Sequence, residues 1–507
     1  MQPAEPTIPS NLDERRSWTT RERILLAILL LAITLFQLAF RQAGHDWGDD
    51  FAHYLAHARN LAEGRPYAET GYLYSDLALG IGPKAYPPIF PAYMAPWVAV
   101  GGLDYAFLKI AIVLLFTISL LLMAGLAARY LPAWQVLGLT ALLGVSSIFW
   151  EMNQQILSEP LFLVFWLAVL WLGESREGIS KSLKAGLAVA VLLGILIYLA
   201  IGTRTVGVVL LIAVPLDQVL RHRRITFTGC IVPVVVAIGL MGSQKWLFPE
   251  VGGGYLEHLS MITPGTILGN LQADVTSFSY FWRNGYSESI RKVAGVLLSL
   301  VAIYGFVRLH MKQGTTLTSW AVVGYFALVV LWPVAAWTRV ILPLIPLYLL
   351  YLLIGLHEIP WPRAYRTAAL GLFFCFAMGS QLLWLTTVDL GAPPGPTRPE
   401  AAAMFAETKE RTPEDAICLF FKPRALALLT GRASVTFPHE LTTENLQAIV
   451  AEHEVDYWIE TLDLPQTELP AELVEPLGAE TLWENSGFRL WRIRPERSAE
   501  TSPAATD

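Results

Sequence analysis

The chain has 507 residues, of which 54% are hydrophobic and only 15% charged, whereas a soluble protein carries roughly 25% charged residues. This composition excludes an ordinary soluble domain and indicates a polytopic membrane protein. The net charge of −6 is unevenly spread: from Arg398 to Asp507 there are 20 Asp and Glu against 10 Lys and Arg, which leaves about +4 for the rest of the chain. Of three cysteines, Cys230 and Cys375 lie inside apolar runs, and nothing argues for structural disulfides, a zinc cluster or an iron–sulfur site.

In chain order, apolar runs of span length occur near 22–40, 105–127, 134–149, 157–173, 183–200, 205–219, 226–246, 293–309, 317–334, 338–356 and 367–388. The first lacks a small-residue cleavage site and follows a polar tail of about twenty residues, so it reads as an uncleaved span rather than a signal peptide. Arg15, Arg16, Arg21 and Arg23 place the N-terminus in the cytoplasm by the positive-inside rule. If the spans then alternate, Arg129, the Arg176/Lys181/Lys184 group, the Arg221/Arg223/Arg224 group, Arg308/Lys312 and Arg363/Arg366 all fall in cytoplasmic loops. That agreement predicts about eleven spans, large outer segments at 41–104 and 247–292, and an extracytoplasmic C-terminal region.

The first outer segment opens with HDWGDDFAHYLAHARNLAEG, which reads as a polar helix, and continues to AYPPIFPAYMAPW. The prolines of that second stretch argue against a further crossing. Residues 87–101 therefore read as an interfacial helix, with Trp97 at headgroup level.

Taken together, GDDFAHYLAHARNLAEGRPY after the first span, AYPPIFPAYMAPW, NQQILSEPLFLVF and TRVILPLIPL resemble the GT-C superfamily of polyprenyl-phosphate-sugar-dependent glycosyltransferases. The likeness is to the bacterial branch similar to protein O-mannosyltransferases and the lipid A aminoarabinose transferase, and it covers about 390 residues in order and topology. It implies an inverting transfer of sugar from a polyprenyl phosphate to an acceptor hydroxyl at the outer leaflet. A carboxylate then takes the acceptor proton, and cations meet the charge growing on the leaving phosphate.

The resemblance implies that Asp50, four residues before Tyr54, is the catalytic carboxylate, with Asp49 the neighbouring candidate. The residues alone leave a second reading open, in which the pair caps the following helix, and one aspartate can do each. His53 and His57, at i and i+4, share a face with Asp49 or Asp50. That spacing suits a divalent cation, which is left open as a cofactor. The simpler reading is a polar stripe facing water or lipid headgroups.

The resemblance makes Glu159 in ILSEPLF, where many relatives have aspartate, the second catalytic acid candidate, with positioning a base, binding acceptor or supporting a metal left open as its role. Its alternative role is as part of a helix start, with Ser158 as N-cap and Pro160 near N1. For the donor phosphate the candidates are Lys84, Arg204 and Arg339, although a basic residue at a span end also snorkels to headgroups. Tyr86 of the YPP segment and Tyr255 of the second outer loop are candidates for the donor or acceptor groove, with Gly252 to Gly254 a hinge.

Beyond the proline-rich linker LGAPPGPTRPE, AICLFF, PRALALLTG, ASVTF, TTENLQAIVAEHE and VDYWIE alternate as strands and helices of a small α/β domain. TTENLQ reads as a capped helix start, GFRLWRIR as an edge strand, and the tail from about Pro495 as disordered.

The expectation is a GT-C-like polytopic α-helical membrane protein with a small extracytoplasmic α/β domain. Its partners are a polyprenyl-phosphate-linked sugar, a glycan, lipid or protein acceptor, and membrane lipids, with no nucleic acid. Two other classes stay open. A transporter should show internal repeats and midplane charges, which the sequence lacks. A lipid-linked oligosaccharide polymerase or ligase fits the early acidic loop less well.

Overall fold

The structure is a computed structural model that describes residues 18–174, 183–223, 225–248, 262–282, 288–332, 338–391, 393 and 395–493. These form two compact units, one built from 18–41, 109–248 and 262–390, the other from 42–108 and 391–493.

Helix α1 (Thr20–Ala39) starts at a capping box, in which Thr19 Oγ1 accepts from the Glu22 N–H at 3.2 Å and Glu22 accepts from the Thr19 N–H at 2.9 Å. The acidic segment forms α2 (Asp49–Glu63), and the stretch after Pro87 and Pro88 forms α3 (Ile89–Gly101), too short to cross a bilayer. Then follow α4 (Tyr105–Ala127), α5 (Ala133–Gly144), α6 (Ser147–Asn153), α7 (Glu159–Glu174), α8 (Leu183–Thr203), α9 (Val208–His222) and α10 (Phe227–Gly242). After these come α11 (Pro264–Tyr280), α12 (Glu288–Gln313), α13 (Leu317–Val330), α14 (Thr338–Ile341), α15 (Ile345–Glu358) and α16 (Arg363–Leu385).

Seven of these segments are long and apolar enough to cross a membrane: Thr20–Ala39, Tyr105–Ala127, Lys184–Thr203, Phe227–Lys245, Arg291–Gln313, Arg339–Glu358 and Ala364–Leu385. The expected run at 134–149 is not one straight span. It is the pair α5 and α6, bent by 52°, because Ser146 is extended and its Oγ accepts from the Phe149 N–H, starting a new helix. The remaining three runs are the shorter helices α7, α9 and α13, of 16, 15 and 14 residues.

Within the membrane unit, α12 and α15 cross at two glycines. A Cβ on Gly305 would meet the Tyr351 carbonyl, and one on Gly355 would meet the Val301 carbonyl, the small-residue contact typical of membrane helix pairs. Leu31, Ile238, Leu300 and Leu372 are exposed on the spans, as lipid-facing side chains must be. The molecule is an integral, multi-pass membrane protein.

The second unit is built on a five-stranded sheet of order β2-β1-β3-β5-β4. After α17 (Pro399–Arg411) come β1 (Ile417–Leu419), α18 (Pro423–Thr430), β2 (Ala433–Val435), α19 (Thr443–Glu452), β3 (Tyr457–Thr461), α20 (Ala471–Val474), β4 (Glu480–Glu484) and β5 (Phe488–Arg492). Thr442 caps α19 by accepting from the Asn445 N–H at 3.2 Å, as TTENLQ implies. The strand GFRLWRIR is not at an edge: β5 pairs antiparallel with both β3 and β4, so β4 is the edge.

Side chains alternate between two cores. Cys418 and Ile459 pack with Met404, Phe420 and Leu490 on one face, while Leu419 and Trp458 pack with Val435, Ile449 and Leu473 on the other.

The segment 42–108 is part of this unit. Its backbone pairs beside β2, where the Leu73 N–H donates to the Ser434 carbonyl and the Ser434 N–H to that of Gly71. Trp47 sits among the rings of Phe405, Phe420, Phe421 and Phe488, with centroids 5.2 to 6.2 Å away.

Candidate functional site

Two clusters hold the candidate residues, one in each unit. In the second unit, α2 lies along α3 and α18, with Tyr54 stacked on Tyr86 at 4.8 Å and edge-on to Phe90 at 4.9 Å. The two aspartates at its start are treated differently. Asp49 is buried, and its Oδ1 accepts from the Ala425 N–H of α18 at 3.2 Å. Asp49 does cap a helix, but it is α18, whose own N-cap residue Lys422 makes no side-chain bond, rather than α2. Burial pushes the Asp49 carboxyl up to about 6, against the pull of Arg424 and Lys422.

Asp50 keeps 24% exposure. Its Oδ1 accepts from the Tyr86 hydroxyl at 2.5 Å and from Arg424 Nη1 at 3.2 Å, both charge-assisted hydrogen bonds. Arg424 is 1% exposed, and its guanidinium carbon is 4.7 and 5.0 Å from the ring centroids of Tyr72 and Tyr86. Nη1 also donates to the Tyr86 hydroxyl oxygen at 3.0 Å, Nη2 to the Pro83 carbonyl at 3.4 Å, and Nε stands 3.8 Å from Asp49 Oδ2. Burial opposes its charge, but Tyr86, Asp49 and Asp50 outweigh that and hold its pKa above the ordinary arginine value.

His53 and His57 face neither water nor headgroups, because their side of α2 is the packed side; both are fully buried. His57 donates from Nδ1 to the Tyr67 carbonyl at 2.8 Å and accepts at Nε2 from the Tyr86 N–H at 3.4 Å. His53 donates from Nε2 to the Lys84 carbonyl at 3.0 Å. Burial lowers the pKa of both, that of His57 to about 3, so both rings are neutral. The Lys84 side chain is exposed.

In the membrane unit, Glu159 begins α7 and is 1% exposed. Its Oε1 forms an ion pair with Arg204 Nη1 at 2.5 Å and accepts from Arg339 Nε. Arg204 lies in an extended break between α8 and the short 3-10 turn Thr205–Gly207, which turns its side chain out of the helical run. Arg339 is in α14. The two guanidiniums keep 20% and 30% exposure, so one buried carboxylate gathers two partly open cations.

No protein-family model matches the chain, and no curated protein matches it. Solved structures do. ArnT from Cupriavidus metallidurans, solved bound to undecaprenyl phosphate, is 13% identical with a TM-score of 0.56 over 94% of this chain and 99% of that one. The archaeal oligosaccharyltransferase AglB from Archaeoglobus fulgidus, solved with an inhibitory peptide and a dolichol-phosphate, is 10% identical with a TM-score of 0.56 over 88% of this chain and 70% of that one. The Archaeoglobus enzyme solved with Zn and sulfate gives 10%, 0.56, 86% and 68%. The chain has a GT-C fold.

On this GT-C fold, the expected candidates separate cleanly. Asp49, Asp50, Tyr86, His53 and His57 come together around α2 with the Lys84 backbone, and Glu159, Arg204 and Arg339 come together at the start of α7. Tyr255, with the Gly252 to Gly254 hinge, lies outside the described residues.

Among the described residues, no three His, Cys, Asp or Glu side chains form a group that could hold a metal ion. The chemistry of the donor set agrees: backbone groups occupy both His57 nitrogens, and a buried arginine already lies against both aspartates.

Two residues escaped the sequence reading. Arg424 lies in a stretch with no signature, 374 residues from Asp50. Asp274, in α11, is fully buried, and neither of its carboxylate oxygens has a hydrogen-bond partner among the described residues. The signal for each was only an ionisable residue within an otherwise apolar helical pattern.

Proposed function

We propose that the protein is an inverting glycosyltransferase that moves a sugar from a polyprenyl-phosphate carrier to an acceptor hydroxyl on a glycan, lipid or protein. The carrying observation is Asp50: a carboxylate whose Oδ1 is held by Tyr86 and Arg424, and which is still partly exposed, at the head of the first outer helix of a GT-C fold. A base must be held and must also reach a proton.

In this reading, Asp50 removes the acceptor proton as the hydroxyl oxygen attacks the anomeric carbon. The sugar–phosphate bond breaks, and its electron pair leaves on the lipid phosphate. In the membrane unit, Arg204 and Arg339, gathered by Glu159, are the cations proposed for phosphate binding, and Lys84 is a further candidate. Tyr86 borders the groove.

The site belongs at the outer face of a bacterial cytoplasmic membrane, with the N-terminus inside and the C-terminal domain outside; a reporter at the C-terminus that proved cytoplasmic would reverse this orientation. The function is tested by reconstituting the full chain in proteoliposomes with labelled polyprenyl-phosphate monosaccharides and lipid-linked oligosaccharides. Transfer from a monosaccharide carrier supports the proposal. Transfer only from oligosaccharide carriers would make it a ligase or polymerase, and ligand flux without transfer a transporter.

A further inference from the structure

We infer that Arg424 of the C-terminal α/β domain is a positioning residue for Asp50, so that this domain completes the catalytic site instead of merely covering it. The inference rests on the reading of Asp50 as the base and adds the group that holds it.

The site around Arg424 is built for one guanidinium. A fully buried arginine is costly unless charge and hydrogen-bond partners surround it, and this one has Asp49 facing Nε, Asp50 facing Nη1, the Pro83 carbonyl at Nη2, and the Tyr72 and Tyr86 rings within 5.0 Å. Gly82 makes room for it. At φ +96° its backbone suits glycine, and a Cβ there would stand 3.2 Å from the Tyr86 hydroxyl and 3.3 Å from Arg424 Nη2.

The placement also runs against local preference. Arg424 is the second residue of α18, where the helix dipole disfavours a cation. Asp49 offsets this by capping the same helix end.

A salt bridge that only tied two segments together could use any carboxylate pair. Here the guanidinium acts on Asp50 twice, directly at Oδ1 and through the Tyr86 hydroxyl, which accepts from Arg424 and donates to the same Oδ1. Two donors on Oδ1 restrict how the carboxylate can turn. A base held in this way is oriented for its proton before the acceptor arrives.

The test uses the full-length reconstituted protein and compares wild type, Asp50→Asn, Arg424→Lys, Arg424→Ala and Tyr86→Phe, with kcat and donor KM measured separately and folding followed by thermal unfolding. The expected result is a fall in kcat of at least about tenfold for Arg424→Lys and Arg424→Ala, with donor KM changed by less than about twofold. Millimolar methylguanidine restores part of the Arg424→Ala turnover and none of that of Asp50→Asn.

Folded Arg424 variants with kcat within about twofold of wild type would overturn the inference and leave the glycosyl-transfer reading standing. If the Arg424 variants do not fold, Tyr86→Phe decides: an unchanged kcat overturns the inference, and a kcat loss at unchanged donor KM supports it. A wild-type protein that transfers no sugar, or an Asp50→Asn variant that transfers normally, would instead overturn the reading of Asp50, and the inference with it.

Discussion

Asp49→Asn should make the protein more stable above neutral pH, although it removes a buried charge beside a buried arginine. Burial holds the folded-state pKa of Asp49 at about 6, against an ordinary value of 3.8. Between those values the folded protein binds more protons than the unfolded chain, so stability falls as pH rises through the window and the full cost is present above it. A shift of about two units corresponds to about 3 kcal/mol.

Asparagine is the same shape, and its Oδ1 still accepts the Ala425 N–H that Asp49 now takes at 3.2 Å, so the cap on α18 survives while the ionisation cost does not. Thermal unfolding of wild type and variant in detergent, from pH 4 to pH 8, reads the difference. The variant should gain a few degrees at pH 8, and the two curves should converge toward pH 4. A variant less stable than wild type at pH 8 would show that pairing with Arg424 outweighs burial, and the reasoning would fail. Turnover should suffer less in this variant than in Asp50→Asn.

Gly82→Ala places a methyl group against the Tyr86 hydroxyl and Arg424 in a left-handed backbone conformation, so it should cost about 1–3 kcal/mol of stability and lower kcat, both read on the purified protein. Arg204→Gln and Arg339→Gln should each raise the donor KM by about tenfold or more, measured with a saturating acceptor; unchanged KM values would remove both from the phosphate site. Glu159→Gln leaves those two arginines facing each other without their shared carboxylate and should destabilise the protein by about 3–5 kcal/mol, seen as a lowered unfolding temperature that added donor partly restores.

The apolar runs made the spans and their order legible, because a bilayer demands long hydrophobic helices. The break in the run at 134–149 was hidden because Ser146 is a small polar residue that starts a helix as readily as it sits in one. Spacing put His53 and His57 on one face of α2, but which way that face turns depends on the elements packed against it, and these include the Tyr67 and Tyr86 backbone groups that bind His57. The alternation in GFRLWRIR identified a strand and could not reveal its neighbours, since sheet order is set by pairing with distant segments.

The same limit hid the arginine beside Asp50. A DD pair near a membrane surface reads as cap or catalyst from local pattern; the structure makes Asp49 a cap of α18 and sets Asp50 against Arg424, 374 residues away. Arg424 itself carries no motif: KPRALALLT is an ordinary amphipathic helix until it is folded against α2.

Sugar transfer by Asp50→Asn from a lipid-phosphate carrier tests the central claim most directly. With a donor that the wild type uses, and with unfolding temperature and donor binding matched to wild type, the substitution should lower kcat by about a hundredfold or more. Transfer at the wild-type rate would contradict the assignment of Asp50 as the base.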